Sequence, residues 1–366
     1  MTRLHDLYAE QGQSPWLDNL KRNWIDSGEL AAWVDRGVRG ITSNPAIFQK
    51  AMTSSDAYDE PLRALMDAGS TVGDAYWDLV VNDIVDALEV LRPVHQASDG
   101  IDGYVSVEVD PSLAADTEGT IVAARALDER ISRPNLYVKI PATTEGIPAV
   151  RQMIVEGRSV NVTLIFSLDR YAEVVEAYLS GLEARLAGGV ADLSDVSSVA
   201  SFFISRTDSE VDRRLDALGT EMAKEMRGRT AVAQGQVAYA MFQDAFRGAR
   251  WEKLATHGAR VQRPLWASTS TKDPAYPDTL YVDSLIGPDT VNTLPDATLE
   301  AFEDHGTVAR TVDADPEAAR AVLAAVEAVG VDLRDVGHVL EAEGVASFIA
   351  SFDDLLGSLA DKAAAV

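Results

Sequence analysis

Leu136-Tyr137-Val138-Lys139-Ile140-Pro141 reads as a strand whose side chains alternate between two faces. Leu136, Val138 and Ile140 share one face, and Tyr137 and Lys139 share the other. A lysine in so apolar a run either snorkels to solvent from the strand end or sits buried against a partner, because an unpaired buried ammonium is costly. Its neighbours in the chain decide between the two.

Outward from this stretch, strand patterns occupy 16–20, 38–42, 104–109, 136–140, 159–166, 198–205, 264–268 and 279–285. Helical patterns at 56–68, 73–97, 117–131, 168–187 and 208–248 lie between them, and residues 1–15 read as polar, packing late or outside the core. Pro45 biases Asn44 away from helical geometry, which ends the second strand there. Beyond 296 the chain reads as helices separated by Gly306, Gly330 and Gly344. Eight strands alternating with helices predict an α/β fold, a closed (β/α)8 TIM barrel rather than an open sheet. No G-x-G-x-x-G or G-x-x-x-x-G-K-[ST] loop supports a nucleotide-binding sheet. With no repeat of solenoid period and no low-complexity linker, one domain over 1–366 is expected. Its barrel strands fall within about 16–286, and C-terminal helices of about 296–366 pack on the barrel.

The totals narrow the chemistry. The 366 residues are 46% hydrophobic and 25% charged, the composition of a packed globular core. Without a cysteine there are no disulfides, thiolate metal sites or thiol nucleophiles. His5, His95, His257, His305 and His338 are dispersed and form no H-E-x-x-H spacing, so no metal is expected. No apolar run reaches the roughly 18 residues of a membrane span, and the N-terminus lacks a signal-peptide core. A soluble cytoplasmic protein is expected, as monomer or homodimer. A net charge of −26 argues against nucleic acid and anionic lipid as partners. It leaves room for a small anionic substrate, since screening over roughly 8 Å lets a few local cations dominate a pocket.

Strand parity then assembles a site. Ser106 and Glu108 share one face of a valine run, and Asn161 and Thr163 oppose another apolar face. Ser201 and Phe203 share parity in the sixth strand, with Arg206 at its end. Asp18 and Asn44 stand late in the first two strands. Each has an ordinary alternative: Asn44 as a turn cap, Thr163 as a strand former, Asp18 as a helix cap. A carboxylate such as Glu108 inside a valine run is harder to dismiss. Polar residues recurring at the C-terminal strand ends are where barrel enzymes build active sites. A lysine held there is most economically a Schiff-base nucleophile. At a reference pKa near 10.4 only about 0.04% is neutral at pH 7, so burial would have to raise that fraction. An ionised Glu108 nearby opposes such a shift, which suits Glu108 to work through a bridging water or partly protonated.

The motifs resemble those of the transaldolase family, of the longer type with an extended C-terminal region. The resemblance runs from about residue 16 to 295. It rests on Trp16-Leu17-Asp18, Thr42-Ser43-Asn44-Pro45-Ala46-Ile47-Phe48, Val107-Glu108-Val109-Asp110 and Val138-Lys139-Ile140-Pro141-Ala142-Thr143. It continues in Asn161-Val162-Thr163-Leu164-Ile165-Phe166-Ser167, Leu265-Trp266-Ala267-Ser268-Thr269, and Asp278-Thr279-Leu280-Tyr281-Val282 through Asn292-Thr293-Leu294-Pro295. It implies a cofactor-free class I aldolase-type barrel acting on sugar phosphates. Lys139 matches the Schiff-base lysine, Asp18 the acid/base for C3–C4 cleavage, and Glu108 and Thr163 the pair handling the carbinolamine water. Asn44 and Asn161 match the amides binding the dihydroxyacetone unit, and Ser201 and Arg206 match substrate positions, with Arg206 facing phosphate. Ser268 and Lys272 match a second phosphate contact, although Ser270 stands where relatives often carry Gly, and Lys272 also reads as a solvated loop lysine. The family reaction carries dihydroxyacetone from sedoheptulose 7-phosphate to glyceraldehyde 3-phosphate. An aldolase releasing free dihydroxyacetone is the nearest alternative, and Phe203, where such relatives carry Tyr, favours transfer. A non-catalytic sugar-phosphate-binding barrel is the remaining one. No match implies a catalytic role for residues beyond about 300.

Overall fold

The computed structural model describes residues 2–365. Among them, strands β1 (Gln13–Leu17), β2 (Val105–Glu108), β3 (Leu136–Pro141), β4 (Val160–Ile165), β5 (Ser198–Phe203), β6 (Arg263–Ala267) and β7 (Thr290–Leu294) form one sheet. All pairings are parallel, in the order β1-β7-β6-β5-β4-β3-β2. Ile41 fills the remaining position, bridging Leu17 on one side and Val105 on the other. Its N–H donates to Tyr104 O at 2.9 Å and its carbonyl accepts from Ser106 N at 3.0 Å. The barrel therefore closes, as eight alternating units predict.

Two expectations about strands need correction. The stretch 38–42 is a single ladder residue, not a full strand. Gly37 sits at φ +116, and a Cβ at Gly40 would collide with the Trp16 indole, so the chain bends across that ring. The stretch 279–285 holds a short helix, Leu280–Asp283, and the last strand is Thr290–Leu294 instead. A short apolar run buried on all sides gives no periodicity to separate helix from strand. The barrel strands therefore run from residue 13 to 294 rather than from about 16 to 286.

The termini also differ from expectation. Residues 1–15 are not outside the core: helix Arg3–Gln11 buries Leu4 and Leu7, and Gln13 begins β1. The 208–248 region is three helices, Ser205–Leu218, Glu221–Glu225 and Thr230–Ala245, parted where Gly219 and Gly228 adopt positive φ. Helix Pro45–Ser54, absent from the sequence reading, starts with proline at its first turn. At the far end, helix Leu333–Ala365 crosses the C-terminal mouth of the barrel.

Inside, an aromatic floor fills the barrel below the mouth. Tyr137 stacks on Tyr104 at 4.0 Å and on Trp16 at 6.1 Å, and Val199, Leu265 and Val291 pack in the same apolar cluster. Beneath it, buried Asp102 gathers Ser14, Trp16, Arg39 and Arg263. One end of the barrel is thus sealed, and the polar residues of the other end face a cavity.

Candidate active site

Register places the central groups. Glu108 on β2 pairs with Lys139 on β3, which pairs with Asn161 on β4, so three inward side chains lie side by side. Lys139 is 4% exposed. Its Nζ lies 3.4 Å from Glu108 Oε2 and donates to Ser43 O at 3.3 Å. Of the two options for a lysine in an apolar strand, the buried and partnered one holds.

The carboxyls respond to the same burial. Burial pushes the Glu108 carboxyl up to about 7, against the opposing pull of Lys139. Burial also raises Asp18, opposed by Lys139, by a hydrogen bond from Thr42 and by Lys272. Thr42 Oγ1 donates to Asp18 Oδ1 at 2.7 Å and lies 2.6 Å from Thr293 Oγ1. Asp18 stands one residue beyond β1, where a side chain can reach the mouth.

On β4 the register slips between Val162 and Ile165, and Leu164 adopts φ +60. A left-handed leucine costs about 1–2 kcal/mol. The bulge turns Thr163 and Leu164 to the same interior side, where Leu164 and Phe166 become the seat of the C-terminal helix. Among the described residues Thr163 Oγ1 is buried without a hydrogen-bond partner, and Glu108 Oε2 has none beyond its ion pair with Lys139. Asn161 donates to Ser106 Oγ at 3.0 Å and accepts from Ser201 Oγ at 2.7 Å, so it lies in the wall rather than at the surface of the cavity.

A cavity of about 200 Å³ gathers most of these groups, but neither Asn161 nor Glu108 lines it; Glu108 borders a smaller pocket with Ser43, Tyr76 and Phe352 that shares Asn44 with the first. Asp18, Asn44, Lys139, Thr163, Ser201, Phe203, Arg206, Ser268 and Lys272 all line it. Asn44 does two jobs: Oδ1 accepts from Ile47 N at 3.0 Å, capping the next helix, while the side chain borders the cavity. Arg206, at the start of helix Ser205–Leu218, makes no ion pair among the described residues, and its guanidinium lies 5.4 Å from the Phe203 ring centroid. Lys272 stands exposed at the rim with its pKa lowered, by desolvation first and then by Arg206. Neither cation makes an ion pair within 4 Å among the described residues, although Glu343 acts on Arg206 and Asp18 on Lys272 from further away. Among the described residues no group of histidines and carboxylates is arranged to hold a metal ion.

Several lining residues escaped the sequence reading. Ser268, at φ +55, spends its Oγ on Ser205 Oγ at 2.9 Å, whereas Ser270 receives Lys272 Nζ at 2.8 Å beside the cavity. Ser270 is therefore better placed than Ser268 to join Lys272. Thr293 lies on the strand that was missed. Phe348, from helix Leu333–Ala365, lines the cavity with its ring centroid 5.7 Å from Lys139 Nζ.

A family described as Transaldolase/Fructose-6-phosphate aldolase matches residues 15–359. The chain belongs to that family. A Parafrankia sp. protein named Transaldolase is 52% identical, covering 98% of this chain and 97% of its own. A Thermobifida fusca Transaldolase is 53% identical over the same shares, and Transaldolase 1 of Streptomyces coelicolor is 51% identical over 96% of this chain and 92% of its own. The family match reaches past 295 to include Phe348 and most of the C-terminal helix. A helix beyond 300 packs across the barrel mouth as expected, and it brings Phe348 to the cavity wall. Among the described residues no helix is long and apolar enough to cross a membrane.

Proposed function

We propose that this protein is a cytoplasmic transaldolase of the non-oxidative pentose phosphate pathway. It moves a dihydroxyacetone unit from sedoheptulose 7-phosphate to glyceraldehyde 3-phosphate, giving fructose 6-phosphate and erythrose 4-phosphate. The observation that carries the reading is a buried lysine beside Glu108, Asp18 and Thr163, in a cavity whose rim holds Arg206 and Lys272.

In this reading Lys139 Nζ attacks the ketose C2 carbonyl, and the carbinolamine loses water to form an imine. Glu108, ion-paired to Lys139, and Thr163, whose buried hydroxyl has no partner among the described residues, pass the protons of that water. Asp18 takes the proton of the C4 hydroxyl, the C3–C4 bond breaks, and an aldehyde leaves. The remaining three-carbon enamine attacks the acceptor aldehyde, and Asp18 returns the proton to the new C4 oxygen. Asn44, with Asn161 and Ser201 behind it, holds the dihydroxyacetone hydroxyls. Arg206 takes the phosphate as a bidentate donor, joined by Lys272 and Ser270. Phe203 places an apolar ring in the cavity, which favours transfer over an aldolase's release of the free ketone.

Incubation with fructose 6-phosphate followed by borohydride reduction is expected to leave a three-carbon adduct on Lys139, located by mass spectrometry. An adduct elsewhere, or none, removes the Schiff-base reading and returns the non-catalytic binding barrel.

Glu108 adds a pH prediction. Its carboxyl ionises near 7 in the folded protein, so the form able to accept a proton is lost below that. The kcat profile should have an acid limb near pH 7 that disappears in Glu108→Gln, with rate reduced by about 10² or more. The same shift has a stability sign: the folded protein keeps a proton the unfolded chain releases. Glu108's contribution is therefore full below about 4.5 and is lost as the pH rises through about 7. A Glu108→Gln profile with the limb unmoved would assign the limb to another group.

A further inference from the structure

The C-terminal helix is fixed at points along its length. Asp335 pairs with Arg214 at 2.7 Å, Glu341 with Arg170 at 3.2 Å, and Lys362 with Asp59 at 2.6 Å. Between these anchors, Gly337 and Gly344 let the helix backbone close on the β4 bulge. A Cβ at Gly344 would lie 3.1 Å from Leu164 and 3.3 Å from the Phe166 ring, and one at Gly337 would lie 2.9 Å from Ser167 Cβ. Phe352 meets Tyr76 edge-on at 5.3 Å. One turn before Phe352 comes Phe348, only 6% exposed, packed in the cluster of Leu164, Phe166 and Phe203. The helix therefore holds one aromatic ring rigidly over the lysine from the side opposite the barrel floor.

We infer that Phe348 is a specificity residue that sets the partition of the lysine-bound three-carbon intermediate between transfer and hydrolysis, by keeping water, as proton donor, from the enamine carbon C3. The inference rests on the Schiff-base reading above. The enamine has two fates. Its C3 forms a carbon–carbon bond to the acceptor aldehyde, whose oxygen takes a proton. Otherwise C3 takes a proton to give the iminium, water adds at C2 with loss of a proton, and the carbinolamine collapses to dihydroxyacetone and the free Nζ amine. The second route consumes one water and no oxidant or reductant. Water must add at C2 in both routes, because the new ketose also leaves by hydrolysis of its iminium, so protonation of C3 before the acceptor reacts decides between them, and an apolar ring at the cavity wall keeps water, the proton source, from that carbon. Phe203 guards the β5 side of this cavity, and Phe348 comes from outside the barrel altogether.

The test measures free dihydroxyacetone released from fructose 6-phosphate without an acceptor, against transfer to an added aldehyde. Phe348→Ala is expected to raise release per transfer by about tenfold or more, and Phe348→Val by about threefold. Phe348→Leu, which keeps most of the apolar bulk, should stay near wild type. The valine variant keeps the test alive if the alanine variant does not fold. Release at the wild-type ratio in a variant that still transfers overturns the inference, as does equal release in the leucine and alanine variants. Borohydride trapping separates the two levels of the argument. Absence of a Lys139 adduct in the wild type sinks the Schiff-base reading, whereas a normal adduct with unchanged release sinks only the role of Phe348.

Discussion

Lys139→Met is expected to lower kcat for ketose cleavage by at least about 10⁴-fold and to leave the protein folded at pH 7. The rate loss follows from the chemistry, because the other amine lining the cavity, Lys272, stands exposed at its rim. Survival of the fold follows from the electrostatics. Breaking a buried ion pair is usually severe because it strands a charge. Here the stranded partner is Glu108, already held near 7 by burial, and Lys139 is what pulls it down. Without the lysine its pKa rises further and it takes a proton at neutral pH, so the variant buries a neutral carboxyl rather than an anion. Methionine fills the lysine's volume against Phe348 without a charge. A coupled assay for fructose 6-phosphate cleavage and a thermal melt at pH 7 check both halves. Cleavage within tenfold of wild type would remove Lys139 as nucleophile. A collapsed melt would mean that the ion pair, rather than the aromatic floor, holds this side of the barrel.

Much of this site is visible in the linear order of residues, for a geometric reason. Parallel barrel strands all present their C-terminal ends to one mouth, and parity within each strand separates cavity from helix layer. Lys139, Glu108 and Asn161 could therefore be set on the inner face from alternation alone, and their register confirms that they lie side by side. What alternation cannot supply is contact between elements distant in the chain. Leu280-Tyr281-Val282 looks like a strand because apolar, β-branched and aromatic residues suit one, yet Tyr281 is buried by donating to Asp208, on a different helix, at 2.9 Å. The displaced strand carried Thr293 with it. Phe348 was invisible for a related reason. Its helix touches β4, the turn at 111–115 and several outer helices, so its apolar residues spread around the axis and mark no single face. The β4 bulge belongs to the same class, since nothing in Val162-Thr163-Leu164-Ile165 announces a left-handed leucine. It is stabilised by the Gly344 helix that packs on it.

The largest loss of stability is expected at the opposite end, where Asp102→Ala should cost about 3–5 kcal/mol. Asp102 is fully buried, and burial alone would raise its pKa. Arg263, Arg39 and a hydrogen bond from Ser14 overcome that and hold the carboxyl below its usual range. It accepts from Ser14 Oγ at 2.8 Å, Trp16 Nε1 at 3.2 Å, Arg39 Nε at 2.7 Å and Arg263 Nη2 at 3.0 Å. Removing it leaves the Arg263 guanidinium buried under the Trp16–Tyr137 stack without its counter-charge, and frees Arg39, which otherwise lies 3.5 Å over the Tyr8 ring. The pH sign is the reverse of Glu108's. A depressed carboxylate stabilises the fold above its unfolded value, about 3.8, and that contribution is lost as the pH falls through the folded one. Urea unfolding should show a lower midpoint at unchanged slope, whereas kcat per folded molecule at low temperature stays near wild type. Comparable losses in stability and kcat would show that the floor transmits its geometry to Lys139 through Tyr137, two residues earlier on β3. Loss of stability alone would show that the aromatic layer isolates the mouth from the ion cluster. A barrel with its chemistry at one end and its charged seal at the other should behave in the second way.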